Sequence, residues 1–431
     1  MFQDVLHYGF RLYADGLAQE LDLIPILFSA PSIVPIAPSG LAGTLTVYPP
    51  EHPISQTWTW RTDVLDSWDG DEHRLSLMGA PRESYQMDIL IEDAELRRIR
   101  ADLFNTTGPG VHLIPRWEEG LTVTATPVST VLNVPNTALS DWMAVNQRVV
   151  VVGPTGDAYQ ALIVSFTSTT ITIDVSVPAG SYLGGATHVY PLAAVYFEAG
   201  PQVSRWRVNL GRWRMDARVA EFGYAFGTGA TALTTFDGVT VLTEQPLGND
   251  TTDEAMEHQE EFFDFGATFT RKHAQLLGDI QRTHAFRIGD AATRQYWKSF
   301  LTSVNGRQGT FLLSTWHPDL VLDSQPIDDG FIVIDSSQVS YITKWYPSLA
   351  HKRLQFRMAS GAVLYREVID VTDNLDGTES LELDASVDTG ALGNVDFISF
   401  LETCRLGSDD VEFTWDITEG HVTLPIVVVQ A

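Results

Sequence analysis

The sequence predicts a mainly β protein with a few short helices, α+β in class, built as a tandem duplication of a strand-helix-strand unit. Each copy is expected to carry an inserted small β-barrel or β-sandwich module. Three observations predict this. The stretch DAELRRIRADLFNTTGPGVHLIPRW, Asp93 to Trp117, is repeated in outline by DAATRQYWKSFLTSVNGRQGTFLLSTW, Asp290 to Trp316. TTITIDVSVPAG from Thr169 is matched by ESLELDASVDTG from Glu379, each an alternating strand followed by a turn that ends in Gly. Between the repeats, β-branched runs such as Arg148-Val149-Val150-Val151-Val152 are punctuated by Gly and Pro, which marks short strands rather than helices.

Residues 1–55 read as an N-terminal extended segment. Its apolar run from Leu21 to Ala37 contains Pro25, Pro31 and Pro35, which exclude an uninterrupted membrane helix. No basic, apolar and small-residue succession announces a signal peptide at the N-terminus. Residues 56–127 form the first repeat core unit, opening on the strand-like Trp58, Trp60 and Val64. In it Asp93 is placed to cap a helix whose stripe is Leu96, Ile99 and Leu103, and Gly108-Pro109-Gly110 breaks that helix. Residues 128–200 form the first inserted β module, and 201–222 the strands that complete the first half. An acidic connector, 223–262, includes Gly227-Thr228-Gly229 and a strand at Gly238 to Leu242. The second repeat core unit covers 263–323: Asp290 caps a helix with the stripe Ala292, Tyr296 and Phe300, Asn305-Gly306 and Gly309 turn the chain, and Phe311, Leu313 and Trp316 return to the core. Residues 324–404 form the second β module and 405–431 the closing strands.

At 431 residues the chain is too long for one ordinary core, so roughly two to four domains are expected. A hydrophobic fraction of 44% with 19% charged residues permits sizeable cores and argues against global disorder. Against 27 Lys and Arg stand 55 Asp and Glu, a formal charge of -28 that repels nucleic acid and anionic membranes. The arginine-rich run Arg205, Arg207, Arg212, Arg214 and Arg218 alternates with Trp206, Val208, Trp213 and Met215, the pattern of a strand with one polar face rather than a nucleic-acid contact. Cys404 stands alone, so no disulfide forms within the chain and assembly in a reducing cytosol is favoured.

The motifs that carry catalysis are missing. No Gly-x-Ser-x-Gly elbow, dinucleotide fingerprint, phosphate loop or His-Glu-x-x-His helix is present, so the chain reads as a non-enzyme without cofactor or metal. Asp63, Asp66, Asp69, Asp71, Glu72 and His73 crowd one loop but lack calcium-loop spacing, and a solvated turn is expected. Asp373, Asp376 and Glu379 flank Asn374-Leu375-Asp376-Gly377, which reads as hairpin-turn chemistry before it reads as a cation site. His258 with Glu257, Glu260 and Glu261 fits no metal shell. The chain does hold 11 Trp, 13 Tyr and 21 Phe, many at repeated places. Trp117 and Trp316 correspond, and Trp58 and Trp60 are set against Phe263 and Phe265 in a rough alignment. These aromatics either fill cores or form subunit interfaces.

The run Phe286-Arg287-x-x-Asp290, the aromatic helix, and Asn305-Gly306-Arg307-x-Gly309-Thr-Phe-Leu-Leu-Ser-Thr-Trp316 resembles distal tail or baseplate (tail-tip) structural proteins of long-tailed bacteriophages. Phe236-Asp237-Gly238-Val239-x-Val241-Leu242-x-x-x-Pro246 looks like the lead-in segment of the same proteins. The first copy departs from that pattern, with Gly-Pro-Gly in place of the Gly-Arg turn and Pro115-Arg116 before Trp117. The resemblance implies a virion protein that assembles in the bacterial cytoplasm. Its homo-oligomeric ring would join the tail tube protein to baseplate hub and fibre proteins, without nucleic-acid binding or membrane insertion. Three chains would present six similar units and six chains twelve, and the trimer is preferred over the hexamer. A different expectation is a carbohydrate-binding tail-tip module, with Tyr159, Tyr182 and Tyr190 as stacking platforms. A wall-degrading hydrolase ranks third.

Overall fold

The computed structural model describes residues 44–66, 72–92, 111–127, 129–154, 156–178, 182–197, 202–207, 210–220, 231–247, 255–257, 260–264, 269–273, 279–326, 330–335, 352–387, 389–417 and 419–429. The first predicted helix with Asp93, Leu96, Ile99, Leu103 and its Gly108-Pro109-Gly110 break lies outside them. So do the run Leu21 to Ala37, Gly227-Thr228-Gly229, Asp69, Asp71, His258 and Phe265.

The protein is mainly β. In the first half, β1 (Thr44–Leu45) and β2 (Glu51–Thr59) are followed by a hairpin of β3 (Thr62–Asp66) and β4 (Glu72–Ser76), then β5 (Arg82–Glu92). After β6 (His112–Pro115), a 3-10 turn at Trp117–Glu119 leads to β7 (Leu121–Val123), β8 (Val131–Asn133), β9 (Arg148–Val152), β10 (Ala158–Phe166) and β11 (Thr170–Ile173). A long β12 (Thr187–Phe197) precedes β13 (Gln202–Arg207) and β14 (Leu210–Val219). The second half has β15 (Thr235–Phe236), β16 (Val239–Leu242), β17 (Ala255–Glu257), a hairpin of β18 (Glu260–Asp264) and β19 (Phe269–His273), and β20 (Asp279–Ile288). Then come helix α1 (Ala291–Val304), β21 (Phe311–Ser314), β22 (Phe331–Asp335), β23 (Arg353–Met358), β24 (Val363–Asp373) and β25 (Thr378–Leu383). The long β26 (Val395–Leu406), β27 (Asp410–Trp415) and β28 (Gly420–Val428) complete it.

The pairings of the two halves run in the same order. β1 lies parallel to β6, β6 antiparallel to β12, β12 to β14, and β14 to β5, which also carries β2. Likewise β16 lies parallel to β21, β21 antiparallel to β26, β26 to β28, and β28 to β20, which also carries β17. Each long strand crosses between two sheets: β12 pairs with β7 and β9 before it reaches β6 and β14, and β26 pairs with β23 before β21 and β28. From β9 the pairing passes through β10 and β11 to β8, and the Thr124 amide, donating to the Asn133 carbonyl at 2.8 Å, returns it to the end of β7. From β23 it passes through β24 and β25 to β22, returning by the bridges Leu322–Ile334 and Leu320–Ile398.

The two circuits also bend alike. A register shift falls between Ile163 and Ser165 and another between Val368 and Asp370. At the first, the Leu162 amide donates to Asp174 Oδ1 at 2.8 Å; at the second, the Glu367 amide donates to Asp384 Oδ1 at 3.0 Å. Such bulges sharpen local twist, which lets short strands curl into a closed circuit. Asp174 and Asp384 belong to the two matched segments of the sequence.

Local patterns explain the elements. On β14 Trp213, Met215 and Ala217 are buried while Arg214 points out, the period-two alternation read from the sequence. Helix α1 opens on Asp290, whose Oδ1 accepts from the Thr293 amide at 2.7 Å, and ends at Asn305 in the left-handed region. Its buried stripe is Tyr296, Trp297, Phe300, Leu301 and Val304. Ala292, expected in that stripe, is exposed because it sits in the first turn, ahead of the contact with β16 and β20. Asp290→Ala should cost about 1 kcal/mol of stability, read by urea denaturation; an unchanged midpoint would show that the cap contributes nothing.

Three cores result. The largest joins both halves, with Trp58, Trp60, Tyr85 and Trp213 beside Trp297, Phe300, Phe311 and Trp415. Val149, Val151, Ile163 and Ile171 centre the first circuit, and Ile332, Phe356, Leu381 and Ile398 the second. Among the described residues no helix is long and apolar enough to cross a membrane.

Candidate functional site

The halves meet where β2 lies between β5 on one side and β27 on the other, Ile54 opposite Trp415 and Thr59 opposite Asp410. Buried charged residues of both halves gather near this junction. The Trp415 indole donates to Gln56 Oε1 at 2.7 Å, and Gln56 Nε2 donates to Glu83 Oε1 at 2.5 Å. Arg116 Nη1 donates to the same Glu83 oxygen at 2.6 Å. Lys298, on the buried face of α1, donates to Glu119 and, at 2.9 Å, to Asp141 Oδ2. Arg294 of α1 donates to the Glu118 carbonyl. A helix of the second half is thereby tied to the 3-10 turn of the first half and to a loop of the first circuit.

The protonation follows from geometry. Tyr85 Oη lies 2.6 Å from Glu83 Oε1 and 2.7 Å from Glu118 Oε1. A phenol has one hydrogen, so both short contacts are hydrogen bonds only if one of the carboxyls is protonated. Glu118 is that group. Although the residue is partly exposed, its Oε2 is sealed without a partner among the described residues. Burial first, then the adjacent Glu119 carboxylate, pushes its pKa up to about 7. Burial works against ionisation of Glu119 too, but Lys298, Arg116 and Arg294 outweigh it and hold that carboxyl at about 2. Burial also raises Asp141, and for Lys298 the two carboxylates overcome burial and raise the ammonium. Glu83, Glu118, Glu119 and Asp141 thus gather around Arg116, Arg294 and Lys298.

This arrangement makes stability depend on pH. The folded pKa of Glu118 lies above its ordinary 4.5, so its contribution is complete below that value and is lost as pH rises through about 7. The loss should be on the order of 3 kcal/mol. Glu119, held low, acts the other way and matters only as pH falls below 4.5 towards about 2. Denaturant unfolding at pH 5 and pH 8 should therefore show a decline that Glu118→Gln flattens; equal slopes for the two proteins would refute the assignment.

The second set of contacts fixes the β3–β4 hairpin. Asp409 accepts from the Thr62 and Arg307 amides at 2.7 and 2.9 Å, and Arg405 grips Glu72 with its closest contact at 2.6 Å. Gly306, at φ +68, lies so close that a Cβ would stand 2.7 Å from Trp60 Cβ. On the outer face of that hairpin Leu65, Leu75 and Leu77 are exposed.

The aromatics singled out in the sequence separate into distinct environments. Trp58 and Trp60 are core residues, with rings edge to face at 5.9 Å. Trp117 is partly buried against Tyr190 at 4.9 Å. Trp316 is partly exposed, at φ +56, with the Arg357 guanidinium 5.9 Å from its ring centre. Phe263 lies in β18, and it is β17, not β18, that takes on β20 the place β2 takes on β5; Trp58 therefore aligns with Met256 rather than Phe263. Phe265 lies outside the described residues.

The tyrosines expected as sugar platforms do not form one surface. Tyr182 is buried in the first circuit's core, so its ring offers no face to a sugar. The Tyr190 ring is taken up by Trp117 and fills the space beside Gly120. Tyr159 is partly buried against the same core as Tyr182.

Among the described residues no group of acidic side chains has a metal-like arrangement. Asp376 accepts from the Thr378 amide and Asp373 from the Leu375 amide, so both serve the turn, and Leu375 and Gly377 take positive φ there. Sequence reasoning missed Lys298, Glu119, Asp141, Gln56 and Glu83. The one available signal was Lys298 itself, a cation among Tyr296, Trp297, Phe300 and Leu301. No protein-family model matches the chain, and no curated protein matches it in sequence.

Proposed function

We propose that this chain is a structural virion protein of a bacteriophage tail tip, a ring subunit that joins the tail tube to the baseplate hub and fibres. One observation carries the reading: the pairing order of the framework strands of the first half recurs in the second, including the hairpin between β2 and β5 and the hairpin between β17 and β20. That recurrence favours a tandem duplication, and the two strand circuits favour small barrels inserted at equivalent places. A chain made of two like units is suited to matching rings of different symmetry, three copies presenting six units.

The chemistry at the junction agrees with a scaffold. Its charged groups are paired with one another and buried, which fixes the geometry of the junction. Purified chain mixed with isolated tail tubes should cap one tube end in electron micrographs, and a chain that never attaches under any condition would overturn the proposal. Sugar binding loses support from the positions of Tyr182 and Tyr190.

A further inference from the structure

β13, β14, β5, β2, β27, β28, β20 and β17 form one antiparallel succession, each strand bonded to the next. Four strands come from each half. Their meeting point is β2 on β27. Among the described residues, the outermost strands have a partner on one side alone: β13 pairs with β14, and β17 with β20. A strand edge with unpaired amides and carbonyls is a template for another strand.

The two open edges have the identities needed to meet each other. Ile91 lies opposite Gly211 and Ile288 opposite Gly420, which sets β5 with β14 in register with β20 and β28. In that register β13 sits on β14 as β27 sits on β28: Arg205 is opposite Gly211, Trp415 opposite Gly420. β17 sits on β20 as β2 sits on β5, for Thr57 faces Ser84 and Ala255 faces Gln281, and Ser84 and Gln281 stand equally far ahead of Ile91 and Ile288. The succession therefore starts with an edge of the β27 kind and ends with one of the β2 kind.

We propose that β13 of one copy of this chain pairs antiparallel with β17 of a second copy, head to tail, reproducing between copies the β2–β27 junction that joins the halves within each. The proposal rests on the reading of the chain as a ring subunit and names the surfaces by which its ring closes. The register carries over as well. Thr57 faces Glu412 within the chain; Ala255 stands where Thr57 stands, and Gln202 where Glu412 stands. Ala255 of one copy is then opposite Gln202 of the next. A contact between unlike edges propagates until rotation closes it, whereas a contact between like edges stops at two copies.

Cysteine crosslinking of the full chain tests this directly, because Cys404 is the only native cysteine and is buried. Gln202→Cys and Ala255→Cys are purified separately, checked for the native far-ultraviolet spectrum, and oxidised alone and mixed. The mixture should give a disulfide-linked pair of chains, and a chain carrying both changes should give a ladder that collapses on reduction. Neither variant alone should crosslink, nor should Gln202→Cys mixed with the exposed Thr235→Cys. Equal crosslinking of either variant with itself would overturn the head-to-tail arrangement. Closed rings in micrographs without the Gln202–Ala255 crosslink would overturn this pairing and leave the ring reading standing. Crosslinked rings that never join a tail tube would retain the pairing and remove the tail-tip reading.

Discussion

Lys298→Met should destabilise the protein by about 3–5 kcal/mol, the cost of stranding buried carboxylates without their cation. The side chain of Lys298 is 8% exposed and stands between Glu119 and Asp141, exposed 1% and 9%. Methionine keeps most of the volume, so the loss is electrostatic rather than a cavity. The sign can be checked independently. Without the ammonium both carboxyls lose their nearest cation and their folded pKa values rise from those of the parent, so the deficit should be smallest at low pH and grow as pH rises. Adding Glu119→Gln and Asp141→Asn to the methionine variant should restore most of the loss at pH 8. Urea unfolding of the single and triple variants measures both effects; a single variant within 1 kcal/mol of the parent would remove the network from the account of how the halves are held.

Local patterns reveal much of the fold and little of this network. The alternation on β14, the Asp290 cap and the Asn305-Gly306 stop are each written in adjacent residues, because dihedral preferences and capping act over a few positions. The matched turns at Asp174 and Asp384 were also visible, since the same side-chain acceptor closes each bulge. Ala292 falls outside the buried stripe because helical spacing fixes a stripe's direction but not where the neighbouring sheet begins to cover it. Met256 rather than Phe263 holds on β20 the place Trp58 holds on β5 because a hairpin intervenes between β17 and β20, and aromatic content alone does not fix the register across it. Lys298 with Asp141 and Gln56 with Trp415 join residues far apart in the chain, and no periodicity encodes such pairs. Tyr182 shows the same limit from the other side: a tyrosine in a turn-rich segment reads as exposed until the strands around it are seen to close.

Trp60→Ala should cost about 3–5 kcal/mol in the isolated chain, and Trp316→Ala no more than about 1 kcal/mol. Trp60 is 2% exposed and packs against Trp58, with the Gly306 backbone so near that even a methyl group there would collide with it. Its removal opens a cavity that the surrounding β2 and α1 backbones, both fixed by hydrogen bonds, are poorly able to fill. Trp316 differs. It follows β21 at φ +56, a conformation costly for a bulky side chain, and its main described partner is the Arg357 guanidinium. A large aromatic held at such a cost and left partly uncovered is poor value as core and well suited to an interface, where aromatic anchors contribute most of the binding energy. Thermal or urea unfolding of dilute, monomeric protein separates the two residues by stability, and sedimentation of concentrated protein separates them by assembly. Trp316→Ala should leave the unfolding midpoint nearly unchanged while lowering the proposed ring formation. If instead both tryptophans lower monomer stability alike and neither affects assembly, these aromatics serve the cores, and the proposed contact between copies rests on the strand edges alone.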